Sequence, residues 1–122
     1  MSKKVLIVDD SDIVLRLHSY ILEGAGFECI TAENGFVAME VLLREPVDLV
    51  ITDINMPRMN GYELTRKIRE TEGYETTPVI IISTEEEAKD KMKGMEAGAN
   101  VYIVKPAQPE RLITNVKMLL GE

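Results

Sequence analysis

The stretch Val47-Asp48-Leu49-Val50-Ile51-Thr52-Asp53-Ile54-Asn55-Met56-Pro57-Arg58-Met59-Asn60-Gly61 decides how the chain is read. Val47 to Ile51 is an apolar run broken only by Asp48, short and β-branched enough for a buried strand. It delivers one carboxylate, Asp53, and then breaks into a turn-rich segment with Pro57, Asn60 and Gly61. A carboxylate just past the end of a buried parallel strand stands where open α/β sheets keep their ligands.

On either side of this stretch, strand and helix patterns alternate. Val5–Val8 reads as a first strand. Ser11 or Asp12 caps a helix with Ile13, Val14, Leu17, Ile21 and Leu22 inward, ended by Gly24 and Gly26. Phe27–Ala32 is a weaker strand; Asn34 caps a helix with Val37, Ala38, Val41 and Leu42 inward, stopped by Pro46. The third unit is Val47–Thr52 followed by a helix over 61–71. Pro78–Ile82 is the fourth strand, and Glu85–Ala97 a helix whose apolar positions are only Ala88, Met92, Met95 and Ala97. Glu85, Glu86 and Glu87 suit the positive end of its dipole, and its thin core contact marks a mobile or partner-facing element. Val101–Val104 and a helix over 109–120 complete the set. Five uninterrupted βα units predict a doubly wound, flavodoxin-like parallel sheet with helices on both faces, residues 1–122 forming one domain.

Composition narrows the function. A chain of 122 residues has room for one core, and a formal charge of −7 argues against a nucleic-acid-binding surface. The single cysteine, Cys29, excludes a disulfide framework and reads as a small core residue. No apolar run approaches a membrane span, and the N-terminus is no signal peptide, so a cytoplasmic location without membrane insertion is expected. His18, the only histidine, is expected on the surface of the first helix. The absence of a Gly-rich nucleotide motif removes ATP as a direct substrate.

The residues just past the strands carry the chemistry. The first strand ends in Asp9-Asp10, the third in Asp53, the fourth in Ser83-Thr84 and the fifth in Lys105-Pro106; only the second ends blandly, in Thr31-Ala32. In the order 2-1-3-4-5 the second strand lies at the edge, and the four polar ends converge on one rim. Any one of them alone is an ordinary solvated loop residue; four at the same end are not. Three carboxylates close together either protonate or share a cation. An all-oxygen set with few ligands favours Mg²⁺ over Ca²⁺. A carboxylate not consumed as a ligand can attack phosphorus to give an aspartyl phosphate. Lys105 would supply positive charge and Ser83 a hydrogen bond to the phosphoryl group.

These residues, the D-D pair, the D-x-x-M-P-x-M-x-G run, the hydroxyl after strand four and the K-P after strand five, resemble the response-regulator receiver family. The resemblance spans the whole chain and is nearest to stand-alone receivers of the CheY type. It implies Asp53 as phosphoacceptor and Asp10 with Asp53 as direct Mg²⁺ ligands. Asp9 would act through water and the Asn55 main-chain carbonyl would complete the set. Lys105, aimed inward by a cis bond to Pro106, and Ser83 would contact the phosphoryl group. Ser83 and Tyr102 would form the switch, remodelling the face made by helix four, strand five and helix five. Asn55 and Glu85 would tune dephosphorylation. Thr84 stands where a smaller residue is usual and Ala107 where phenylalanine is frequent.

The expectation is therefore a monomeric two-component response regulator, not an enzyme. It would take its phosphoryl group from a histidine kinase or phosphotransfer protein and pass the signal, in chemotaxis or another pathway, to a downstream protein target. The enzyme alternative is a haloacid-dehalogenase-type aspartyl-phosphate phosphatase. That requires D-x-D, whereas Asp53-Ile54-Asn55 lacks the second carboxylate, and the chain leaves no room for a substrate cap. A receiver-like module that only binds partners would not need the complete residue set.

Overall fold

The computed structural model describes residues 2–85 and 88–122. The strands are β1 (Lys4–Val8), β2 (Glu28–Ala32), β3 (Leu49–Thr52), β4 (Val79–Ser83) and β5 (Val101–Val104). The helices are α1 (Asp12–Gly24), α2 (Gly35–Arg44), α3 (Gly61–Glu70), α4 (Ala88–Ala97) and α5 (Pro109–Leu119). All strand pairs are parallel, in the expected order β2-β1-β3-β4-β5.

Alternation along the strands feeds two cores. Val5, Ile7, Leu49, Ile51, Ile80 and Ile82 face Leu15 and Leu22 of α1 and Leu112 and Val116 of α5. Leu6, Val8, Val50, Val79 and Ile81 face Ala38, Val41 and Leu42 of α2 and Leu64 and Ile68 of α3. Both faces of the central strands are covered, which is why β1, β3 and β4 read as unbroken apolar runs. No helix among the described residues is long and apolar enough to cross a membrane.

The helix starts follow local chemistry. The Ser11 hydroxyl accepts from the Val14 N–H and the Asn34 carboxamide from the Val37 N–H. Asn60 and Glu63 form a reciprocal capping box at α3. Glu86 and Glu87, two of the three glutamates expected at the start of the fourth helix, lie outside the described residues. Its thin apolar contact is as expected, with Met92 and Met95 at the surface. The far end of α4 is instead held by Arg69, which donates to the carbonyls of Gly98 and Thr77 and to the Asn100 carboxamide.

Helix α1 departs from expectation. Ile13 and Leu17 were expected inward but are 79% and 53% exposed. The helix carries two competing apolar stripes, and the sheet takes the one through Leu15, His18 and Leu22. His18, expected at the surface, is therefore buried. Cys29 is half-buried, and burial, followed by the charges of Glu23 and Glu28, pushes its thiol up to about 12, far from a reactive thiolate.

Burial, aided by the positive charge of Lys105 and opposed by Asp9, holds the His18 imidazole below its ordinary pKa of 6.5. The unfolded chain takes up this proton first, so stability present above the ordinary value is lost as pH falls through it. His18→Gln is expected to flatten this loss: unfolding free energies of wild type and variant, measured by urea titration from pH 7.5 to 5, should converge as pH falls.

Candidate functional site

The pairing Val8↔Thr52 fixes the next residues, Asp9 and Asp53, side by side at the carboxyl rim. The Asp53 N–H donates to the Val8 carbonyl (3.0 Å), continuing the ladder one step past the strand. On the other side, Ser83↔Val104 is the last β4–β5 pair, and the Lys105 N–H donates to the Ser83 carbonyl (2.8 Å). The peptide bond from Lys105 to Pro106 is cis, as expected. The lysine side chain reaches across the rim to Asp9 Oδ2 at 2.9 Å and Asp53 Oδ2 at 3.4 Å.

Asp9 and Asp53 are both buried, while Asp10 is exposed at the mouth. A carboxylate oxygen from each lies within 4.8 Å of the others. Asp9 Oδ1 accepts from the Ser11 N–H and Asp53 Oδ1 from the Ile54 N–H, at 2.9 and 2.8 Å. Burial pushes the Asp53 carboxyl above its ordinary value; Lys105 and the Ile54 N–H pull it back, and Asp9 opposes them. Three clustered hard carboxylates, two of them against one ammonium and each of those two with only its Oδ1 taken by a backbone donor, are a donor set suited to an oxygen-ligated divalent cation.

The remaining expected residues are joined to one another through Glu85. Ser83 is fully buried, and its hydroxyl accepts from the Glu85 N–H (3.1 Å). Asn55, exposed, donates from its carboxamide to Glu85 Oε1 (3.1 Å). Tyr102, half-buried, donates its hydroxyl to the Glu85 carbonyl (2.6 Å). Burial, with the neighbouring Tyr62 adding to it, raises that phenol to about 12, so it remains a donor. Glu85 thus joins the serine, the site loop and the aromatic, which single-residue inspection of the sequence does not reveal. Gly61 was also missed as a site residue: a Cβ there would overlap the Asp53 carbonyl oxygen. The glycine directly after a helix-capping Asn60 is the signal that such close approach exists.

A family model described as the response regulator receiver domain matches residues 5–117. The chain belongs to that family. The chemotaxis protein CheY4 of Vibrio cholerae is 35% identical and superimposes with a TM-score of 0.94 over 98% of this receiver and 100% of that chain. A response regulator from Thermotoga maritima is 31% identical, with a TM-score of 0.89 and complete coverage of both chains. Among curated proteins, the transcriptional regulatory protein SrrA of Staphylococcus aureus is 37% identical over 120 residues, 98% of this chain and 48% of that protein. The alkaline phosphatase synthesis transcriptional regulatory protein PhoP of Bacillus subtilis is 33% identical, over 98% of this chain and 49% of that protein. The receiver spans about half the length of these curated relatives.

Receivers belong to two-component signalling and accept phosphate from histidine kinases; they are phosphoacceptors rather than true enzymes. The acidic triad of this receiver is typical of the family's Mg²⁺ site.

With no cation bound, two buried carboxylates share one lysine, and the Asp53 charge is a net cost because its carboxyl is raised by the fold. Asp53→Asn keeps the acceptor for the Ile54 N–H and removes the charge. In EDTA at pH 7 it is expected to raise the thermal midpoint by about 4 °C, the shift that roughly 1 kcal/mol gives a domain of this length. Scanning calorimetry of the two proteins checks this.

Proposed function

We propose that the chain is a response regulator whose phosphoacceptor is Asp53. The observation that carries this reading is the convergence of three carboxylates on a space of less than 5 Å with the Lys105 ammonium against two of them. Asp53 Oδ1 is tied to the Ile54 N–H, and Oδ2 is the oxygen turned toward Lys105. In this reading Oδ2 forms the bond to phosphorus as the P–N bond of a phosphohistidine breaks and the imidazole leaves. Lys105 holds the nucleophile ionised and meets the negative charge of the incoming phosphoryl oxygens. Ser83 supplies a hydroxyl at the same rim.

Asp10 and Asp53 would hold Mg²⁺ directly, with the Asn55 carbonyl beside them and Asp9 acting through water. When bound, the ion neutralises charge on the transferring group. The chain's own residues divide the work. Asp53 attacks, Lys105 and Ser83 orient, and Asn55 and Glu85, joined by a hydrogen bond, would tune the approach of an attacking water.

The phosphoryl signal would leave through Ser83 and Tyr102. Phosphorylation draws the Ser83 hydroxyl away from the Glu85 N–H, and Tyr102, already bonded to the Glu85 carbonyl, packs into the vacated space. The surface of α4, β5 and α5 changes with it, and a downstream protein target reads the change. The phosphodonor is a histidine kinase or phosphotransfer protein, the regulator acts as a cytoplasmic monomer, and its likeness to CheY4 favours a chemotaxis-type role. A haloacid-dehalogenase-type phosphatase is disfavoured because Asn55, two residues past Asp53, donates to Glu85 instead of offering a second carboxyl.

Acetyl phosphate with Mg²⁺ is expected to add one phosphoryl mass to the intact chain by mass spectrometry, and Asp53→Asn to abolish it. Labelling that survives the substitution would contradict the site assignment. Lys105→Ala is expected to retain metal binding, followed by NMR, while target affinity no longer responds to phosphorylation; undiminished coupling would contradict its role.

A further inference from the structure

The loop between β3 and α3 has two features that the phosphoryl chemistry leaves unused. Arg58 has φ +71°, the one non-glycine residue with positive φ among the described residues. A side chain there is strained, and such a conformation persists only where the surroundings over-determine it. The Arg58 guanidinium carbon lies 4.6 Å from the centroid of the Phe36 ring, within cation–π range. The next residue, Met59, is buried against Gly35, where a Cβ would come within 2.5 Å of the Met59 sulfur. Gly35 and Phe36 are the first two residues of α2. The outer arm of the loop is therefore fastened to α2 at two adjacent points.

The inner arm is fastened by the Gly61 N–H to the Ile54 carbonyl (2.9 Å) and the Met59 N–H to the Pro57 carbonyl (2.8 Å). Asn55, two residues past Asp53, lies between these attachments. Phe36 is 42% exposed, so truncating it opens no core cavity. Its ring serves the loop more than the interior.

We propose that Phe36, with Arg58, is a positioning residue for the acidic site: their contact holds the strained loop in the arrangement that keeps Asn55 beside Asp53. This rests on the reading of Asn55 and the three aspartates as the cation's ligands. Neither Phe36 nor Arg58 touches the reacting atoms. They act through the loop.

The test uses the ¹⁵N-labelled full chain and four variants. Phe36→Ala and Arg58→Gly are expected to weaken Mg²⁺ affinity about 3- to 10-fold in an NMR titration. In EDTA they should lower the backbone order parameters of residues 55, 56 and 58 below about 0.6, against about 0.85 for rigid backbone. Arg58→Gly separates the two roles, because glycine relieves the left-handed strain; a merely structural arginine predicts equal or greater stability with unchanged affinity. Phe36→Trp presents a better face to the cation and should restore wild-type affinity to Phe36→Ala's position, and Arg58→Lys should restore part of it. Affinity of Phe36→Ala within twofold of wild type, or a loss that tryptophan does not restore, would overturn the proposal. A wild-type chain that binds no Mg²⁺ would instead contradict the functional reading, and the metal-free order parameters would still decide whether Phe36 holds the loop.

Discussion

The Lys105 ammonium, 2.9 Å from Asp9 and 3.4 Å from Asp53, joins carboxylates from the first and third strands to a cation from the fifth. Two buried carboxylates at neighbouring positions repel, and without a counter-charge one of them would take up a proton. The rest of the rim depends on this arrangement. The parallel register brings Asp9 and Asp53 together, and the backbone bond from Lys105 to Ser83 starts the lysine at the right edge. The N–H groups of Ser11 and Ile54 hold one oxygen of each carboxylate, so the other is left for the chemistry.

Glu85 has a comparable part on the outer side of the site. Its N–H, carbonyl and carboxylate each engage a different residue: Ser83, Tyr102 and Asn55. Glu85 therefore ties Ser83 to the aromatic of β5 and to the site loop. Helix α4 follows this junction with little core contact of its own, while Arg69 grips the turn beyond its far end. An element gripped at one end and thinly packed along its length is suited to two arrangements of similar energy.

Much of this was legible in the sequence, for identifiable reasons. Strands buried on both faces leave unbroken apolar runs, so β1, β3 and β4 could be read directly, while the order of the sheet came from the doubly wound class. The strand-end residues were legible because a parallel sheet sends every carboxyl end to the same rim. Helix α1 was misread because two apolar stripes, Ile13–Leu17 and Leu15–Leu22, differ little in composition, and only packing against the sheet and α5 chooses between them. His18 followed the chosen stripe into the interior. The Asn55–Glu85 bond was illegible because it spans 30 residues of backbone that no local pattern encodes, whereas the close approach at Gly61 left a signal only in the glycine itself.

The 96-residue separation between Asp9 and Lys105 has a consequence for the life of the chain before signalling begins. Synthesis delivers both carboxylate-bearing strands well before the strand that carries the lysine. A nascent or truncated chain lacking β5 holds the aspartates without their counter-charge, and lacks the β4–β5 ladder that seats Ser83. Completion of the paired charges at the rim thus coincides with closure of the last strand.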